Sequence, residues 1–388
     1  MALPLSYNVR NVRNRWQVTL LAVSGIALVV AVFTVLMSMS EGFAMALRAT
    51  GRADNAMIIQ RGSNSELTSW IPQDQKNLIE VRDEVARSAD GRPLASPELI
   101  IVTNKVKKDG SSTQITVRGV TPRAFDVRGG IKIVQGRAFT PGVYEVVVGE
   151  KIADRVQGLS LGSSVRLQKH DWQVVGTFSS QGGAFESEIW GDADVMGPDF
   201  GRTGGANAMS VRLKDGMDVA ALDRWIRSNP QMQLQAVSEK KYYDDQAGPL
   251  AKTLRVLAIF VGVVMAVGAV FGAMNTMYAV VAARTREIGT LRSLGFSRRA
   301  ILFSFVLESV TLALAGGVIG CLLAFPMNGY STGTGQTQSF SEIAFAFRIT
   351  PAIVATGILF AAVMGFVGGL LPAVRAARLP ITSALREA

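Results

Sequence analysis

Four long apolar runs dominate the pattern of this chain. The first covers 16–40 and holds no charge between Trp16 and Met39. The second covers 253–283, uncharged from Val256 to Ala283; the third, 300–327, has Glu308 as its one charge; the fourth, 351–374, has none. A helix needs about 20 apolar residues to cross a hydrocarbon layer of roughly 30 Å, so each run predicts a transmembrane helix. The first run is too long for the h-region of a signal peptide, about 7–15 residues, and reads as an uncleaved span. The second is long enough that it must tilt or protrude. Continued helical patterning through 41–47 after the first span predicts a stalk.

The interval 41–250 has a different pattern. Alternation and turn residues predict strands at 57–61, 98–107, 113–120, 145–149, 165–167, 172–178, 209–213 and 233–237. Between them lie predicted helices at 74–87 (Leu78, Val81 and Val85 on one face), 150–156 and 219–227. Alternation in 185–190 predicts a half-exposed strand. The fold class expected is a four-helix membrane protein with one span before and three after a large α/β domain, that is, a 1+3 topology.

Charge orients the helices. The interval 41–250 carries 26 basic and 26 acidic residues; the rest has 14 basic and 4 acidic, so the whole net charge of +10 lies in the membrane part. The basic residues cluster at Arg10, Arg13 and Arg15; at Arg284, Arg286, Arg292, Arg298 and Arg299; and at Arg375, Arg378 and Arg386, whereas 328–350 holds only Arg348 and Glu342. Positive charge in short loops marks the cytoplasmic side. Both termini, 1–15 (an amphipathic segment) and 375–388, are therefore expected in the cytoplasm with 284–297. The domain 41–250 and the short loop 328–350 are expected outside. A pI near 9.9 reflects these flanks; no basic stripe suggests nucleic acid.

Little in the sequence suggests catalysis. No Gly-x-Ser-x-Gly, His-Glu-x-x-His, Cys/His cluster or Gly-Lys pair occurs, so a P-loop nucleotide site is not encoded in these 388 residues. The single cysteine, Cys321, lies in an apolar run and allows no intramolecular disulfide, and the single histidine, His170 in a Lys169-His170-Asp171 turn, reads as structurally idle. The acidic pairs Glu186/Glu188, Asp192/Asp194 and Asp244/Asp245 show no pairing typical of acid/base chemistry. No metal or cofactor is expected on this chain, and it is expected not to be an enzyme.

Within the spans, Gly268-xxx-Gly272, Gly316-xxx-Gly320 and Gly365-xxx-Gly369 each place two small residues on one face, a signal for close helix packing. Glu308 has two readings: a functional intramembrane acid, or a carboxylate paired with a loop arginine such as Arg299. The loop 284–297 predicts a short amphipathic helix with Ile288, Leu291 and Leu294 or Gly295 on one face. Arg284, Arg286, Glu287 and Arg292 supply its charge, Gly295 terminates it, and Ser297 caps the next helix. It reads as a surface helix or as a docking helix for a cytoplasmic partner.

Several motifs now coincide. Met274-Asn275-Thr276-Met277, then Arg284-Thr285-Arg286-Glu287-Ile288-Gly289, then Arg292-Ser293-Leu294-Gly295-Phe296-Ser297 stand in one segment. Glu308-Ser309, Leu312 and Gly316-Gly317-Val318-Ile319-Gly320 follow, then Pro372-Ala373-Val374-Arg375-Ala376-Ala377-Arg378-Leu379-Pro380 and Ala384-Leu385-Arg386. In this the chain resembles the MacB/FtsX-like ABC transporter permeases (type VII, macrolide-exporter type). Glu145 to Glu150 and Trp172 to Gly176 look like the family's periplasmic core domain. The resemblance implies a stand-alone permease in a bacterial inner membrane, with a separate ABC ATPase that binds ATP and Mg. Arg284 to Gly295 would be the coupling helix. A second permease copy, identical or related, a periplasmic membrane-fusion adaptor and an outer-membrane channel are further implied partners, besides the lipid bilayer. The implied activity is mechanotransmission driving export. The alternatives are lipoprotein or lipid extraction, and an FtsX-like transducer that activates a cell-wall hydrolase.

Overall fold

The computed structural model describes residues 16–335 and 341–380. The N-terminal segment 1–15 and the Ala384-Leu385-Arg386 ending lie outside the described residues. In chain order the elements are α1 (Trp16–Arg48), β1 (Asn55–Gln60), β2 (Ile71–Pro72), α2 (Gln73–Glu80), β3 (Ala95–Val106), β4 (Ser112–Val120), α3 (Ala124–Arg128), β5 (Lys132–Gly136), β6 (Glu145–Gly149), α4 (Glu150–Ala153), β7 (Ser164–Leu167), β8 (His170–Ser179), β9 (Glu188–Asp192), α5 (Ala193–Asp199), β10 (Gly205–Ala206), β11 (Ala208–Arg212), α6 (Val219–Ser228), β12 (Leu234–Ser238), α7 (Glu239–Ala283), α8 (Thr285–Ser293), α9 (Arg298–Ala324), β13 (Ser331–Gly335), β14 (Glu342–Ala346) and α10 (Pro351–Arg378). Four of the helices, α1, α7, α9 and α10, are long and apolar enough to cross a membrane. At 45 residues, or about 68 Å at 1.5 Å per residue, α7 is far longer than one crossing requires.

The chain divides into two compact units: 42–251 with 331–346, and the remainder. The first is built on a ten-stranded sheet in the order β12-β1-β11-β3-β4-β9-β6-β8-β5, with β7 hydrogen-bonded to β8. β4 pairs β9 in parallel, as β6 does β8; the other neighbours are antiparallel. Twelve-residue β3 joins the two halves, pairing β11 through its start and β4 through the rest. Each half buries its own core. One gathers Ile58, Met209, Ile79 of α2 and Leu222 and Ile226 of α6; the other gathers Val146, Val148, Trp172, Ile189, Ile152 of α4 and Met196 of α5.

Three readings change here. The helix expected at 74–87 ends at Glu80 and buries Ile79, leaving Leu78 and Val81 exposed. Val85 reaches the core through an extended bridge to Leu213 instead. The segment 185–190 is a short 3-10 turn followed by β9, every residue of which is buried. A strand paired on both sides and covered on both faces has no solvent side to alternate with. His170 opens β8 rather than sitting in the turn: its Nδ1 lies 2.7 Å from Oδ1 of buried Asp199, and its ring stacks on Tyr144 at 4.4 Å.

Gly149 ends β6 so close to the backbone of Glu186 that an added Cβ would overlap it. Gly149→Ala is expected to lower the stability of this unit by roughly 1–3 kcal/mol, since forcing extra atoms into packed interior shifts backbone. Thermal unfolding followed by tryptophan fluorescence would reveal it, and an unchanged transition would contradict the close packing.

In the second unit, α9 and α10 pack antiparallel. Added Cβ atoms on Gly317 and Gly365 would strike Ala361 and Ala313, and one on Gly369 would strike Ser309. Ser309 Oγ donates to the Gly365 carbonyl at 2.7 Å. α9 runs parallel to α1, with Gly316 against Val23 and Ile26, and Gly320 against Ala27 and Val30. Phe33 of α1 meets Phe360 at 4.8 Å. Two of the three small-residue motifs thus lie at helix contacts. Gly268 and Gly272 do not: nothing among the described residues approaches where their Cβ atoms would be. They line an open apolar groove of about 350 Å³ with Leu21, Ala22, Gly25 and Val29 of α1.

Candidate functional site

The expected docking helix is α8, Thr285–Ser293. Its end follows from its residues. Gly295 adopts a left-handed φ of 93°, its amide donates to the Arg292 carbonyl at 3.2 Å, and the Phe296 amide donates to the Leu291 carbonyl at 3.2 Å. This is a Schellman closure, which favours glycine at that position. The Ser297 hydroxyl then accepts from the Ala300 amide at 3.2 Å and starts α9.

The apolar positions of α8 do not form one face. Ile288 is buried with Met277, Ile301 and Phe305, and Leu291 is half-buried, but Leu294 is 71% exposed. Leu294 falls at the C-cap, where the helix has already ended, so 3.6-residue periodicity no longer applies. Arg286 and Glu287 are exposed beside it.

Two arginines fix the helix to its neighbours. Arg284, immediately before α8, is buried and makes a two-pronged ion pair with Glu308 of α9: Nη1 donates to Oε2 at 2.9 Å and Nη2 to Oε1 at 3.2 Å. Glu308 is buried too, and its partner is therefore Arg284 rather than Arg299, which is exposed. Fork-to-fork geometry of this kind is the strong form of a charged hydrogen bond. Arg292 Nη1 donates to the Ala377 carbonyl at 2.9 Å, tying α8 to the end of α10.

The other unit holds a constellation the sequence did not reveal. Arg118 of β4 and Arg128 of α3 lie buried among Glu66, Glu98, Glu188 and Glu239. Arg118 pairs with Glu188 at 2.7 Å, Glu98 at 2.7 Å and Glu66 at 2.9 Å; Arg128 pairs with Glu98 at 2.7 Å and Glu239 at 2.6 Å. Arg128 stacks over Phe185 at 4.2 Å, and Tyr243 donates to Glu66 at 3.1 Å. Complete burial pushes the Glu98 carboxyl up, but Arg128 and Arg118 outweigh it and hold it below the usual range. Burial and the nearby Glu66 carboxylate push the Tyr243 phenol well up. The network ties the first turn of α7, through Glu239 and Tyr243, to the middle of the sheet. Among the described residues no group of His, Cys, Asp and Glu could hold a metal ion.

Residues 19–229 match the MacB-like periplasmic core domain, and 259–381 match the FtsX-like permease C-terminal domain. The chain is 27% identical over 297 residues to the ABC transporter permease YknZ of Bacillus subtilis, covering 73% of this chain and 72% of that one. It is 29% identical over 296 residues to the macrolide export ATP-binding/permease protein MacB of Burkholderia pseudomallei, covering 70% of this chain but only 43% of that longer protein. The periplasmic region of MacB from Actinobacillus actinomycetemcomitans aligns over 52% of this chain and 96% of that structure, at 15% identity and a TM-score of 0.39. With the first domain model spanning more than half of the 388 residues and the second most of the remainder, the chain belongs to the MacB/FtsX-like ABC transporter permeases.

Proposed function

We propose that the chain is the permease subunit of an inner-membrane ABC transporter, and that α8 receives the motion of an ABC ATPase. The observation that carries this reading is the build of α8. It is held by Arg284–Glu308 on one side and Arg292–Ala377 on the other, while Leu294, Arg286 and Glu287 face outward. A helix that must pass on a push needs a stiff attachment and an exposed docking face. The basic flanks support cytoplasmic termini and an outer position for 41–250, giving the 1+3 arrangement. ATP and Mg would bind the ATPase. A second permease copy would complete the assembly, with motion passed outward along α1 and α7 to drive export with a periplasmic adaptor.

Leu294→Asp and Glu287→Lys, in the full chain co-expressed with a partner ABC ATPase, are expected to cut ATPase stimulation about tenfold or more, the scale of an interface hot spot. Leu291→Asp is a poorer test, because that side chain is half-buried. Wild-type stimulation in both exposed variants would overturn the docking role.

The open apolar groove between α1 and α7 favours a second reading, extraction of a lipid-anchored substrate from the bilayer. Bulky residues at Gly268 and Gly272 would block extraction but leave export of a soluble substrate intact.

A further inference from the structure

The connection between α9 and α10 is folded into the other unit rather than left as a free loop. β13 and β14 pair from Ser331↔Ala346 to Gly335↔Glu342. Among the flanking residues, the Phe347 amide donates to the Tyr330 carbonyl at 3.0 Å, and the Gly329 amide to the Phe347 carbonyl at 2.9 Å. Helix connections of this length usually run over a surface, and a loop serving only to reverse the chain needs two to eight residues or so.

Glu342 is held by three residues. Its carboxylate accepts from Lys107 Nζ at 2.7 Å, from Thr113 Oγ1 of β4 at 2.5 Å and from Arg155 Nη2 at 3.0 Å. Burial pushes its carboxyl up, and these partners outweigh the burial and hold it below the usual range. Beyond it, the Ala344 amide donates to Ser187 Oγ at 2.8 Å, and buried Phe345 meets Phe43 edge-on at 5.7 Å. Gly42 of α1 lies against the Ala346 carbonyl with no room for a side chain.

We propose that this hairpin is a separate transmission arm, and that Glu342 is its latch. On the permease reading above, on which this rests, α1 and α7 carry motion outward. The hairpin delivers the movement of α9 and α10 to the outer unit as well, at Lys107, Thr113 and Arg155. The logic is mechanical. A two-stranded ladder rooted directly on two helices and clamped by charge at its far end passes displacement, whereas an unclamped loop absorbs it. Glu342 is a positioning residue that acts through the strands it fixes.

The test uses the full chain in nanodiscs with a partner ABC ATPase, and two readouts: ATPase stimulation, and the ATP-induced change in amide exchange across 42–251. If the wild type gives no stimulation, the permease reading fails, and this inference with it. If the wild type responds, Glu342→Ala is expected to keep its ATPase stimulation but lose the ATP-induced exchange change. Without nucleotide, the amides of 341–346 should exchange about tenfold faster, the scale of losing a charged hydrogen bond. The reversed pair Lys107→Glu/Glu342→Lys should restore part of the response. A wild-type exchange change in Glu342→Ala, with its hairpin amides demonstrably loosened, would overturn the latch while leaving the permease reading standing.

Discussion

Glu239→Ala should destabilise the sheet unit, 42–251 with 331–346, by about 3–5 kcal/mol, the cost of taking a carboxylate away from a buried arginine. Glu239 is fully buried at the start of α7. Its carboxylate accepts from Arg128 at 2.6 Å, Ser210 at 2.9 Å, Asn55 at 2.9 Å and the Arg52 amide at 3.2 Å. Alanine would remove one acceptor shared by all four donors; Asn55 would keep only the Val127 carbonyl at 3.1 Å. Arg128 would keep Glu98, but Glu98 is already shared with Arg118, so no spare carboxylate can move in. The acid in the first turn of α7 would also be lost from the positive end of the helix dipole. Glu239→Gln separates the charge from the hydrogen bonds and should fall between alanine and wild type. Arg227→Ala is the control: that pair with Asp223 is half-exposed and should change stability by no more than about 0.5 kcal/mol. Thermal unfolding of the full chain in detergent, read by tryptophan fluorescence, checks all three. A loss below about 1 kcal/mol for Glu239→Ala would mean that the cavity takes in water, and that the network does not hold the root of α7.

Why this network was invisible in the sequence is instructive beside what was not. The spans were legible because apolar length alone specifies them, and the end of α8 was legible because Gly295 and Ser297 solve a purely local problem. Arg118, Glu98 and Glu188 stand in strands that mix polar and apolar residues, and a charged residue at one strand position looks the same whether it faces water or a buried partner. Only the β3-β4-β9 register brings the three together. The signal that could have found them was a charged residue sharing a strand face with apolar ones, for instance Arg118 two positions before Val120 in a strand buried over most of its length. The packing motifs teach the same lesson. Gly316-xxx-Gly320 and Gly268-xxx-Gly272 are identical as patterns, yet one meets α1 and the other faces a groove, because the face presented depends on helix rotation. The pairing of β13 with β14 escaped notice because β13, Ser-Thr-Gly-Thr-Gly, carries no apolar alternation. The partner of Glu308 was missed because Arg284 lies 24 positions earlier, across a helix and a turn.

That pair is where the second large effect is expected. Glu308→Ala or Arg284→Ala should abolish ATPase stimulation and destabilise the membrane unit by about 3–5 kcal/mol, because either change leaves one buried charge unpaired. Burial raises the stakes: each partner is about 5% exposed, and at the low effective dielectric there neither water nor salt can replace the missing ion. The geometry makes the replacement stringent. Lysine at 284 would offer a point charge where the guanidinium fork spans both carboxylate oxygens, so Arg284→Lys should recover folding better than it recovers coupling. The reversed pair, Arg284→Glu with Glu308→Arg, keeps net charge and should regain stability relative to either single reversal, giving a clear coupling energy in a double-mutant cycle. Arg299→Ala should leave both properties near wild type, since that side chain is exposed. These outcomes separate two roles of the contact. If it merely stabilises α9, ATPase stimulation should track the amount of folded protein in every variant. If it is the joint that makes α8 and α9 move as one body, Arg284→Lys should be folded yet poorly stimulated, and that dissociation of folding from coupling is the result the geometry predicts.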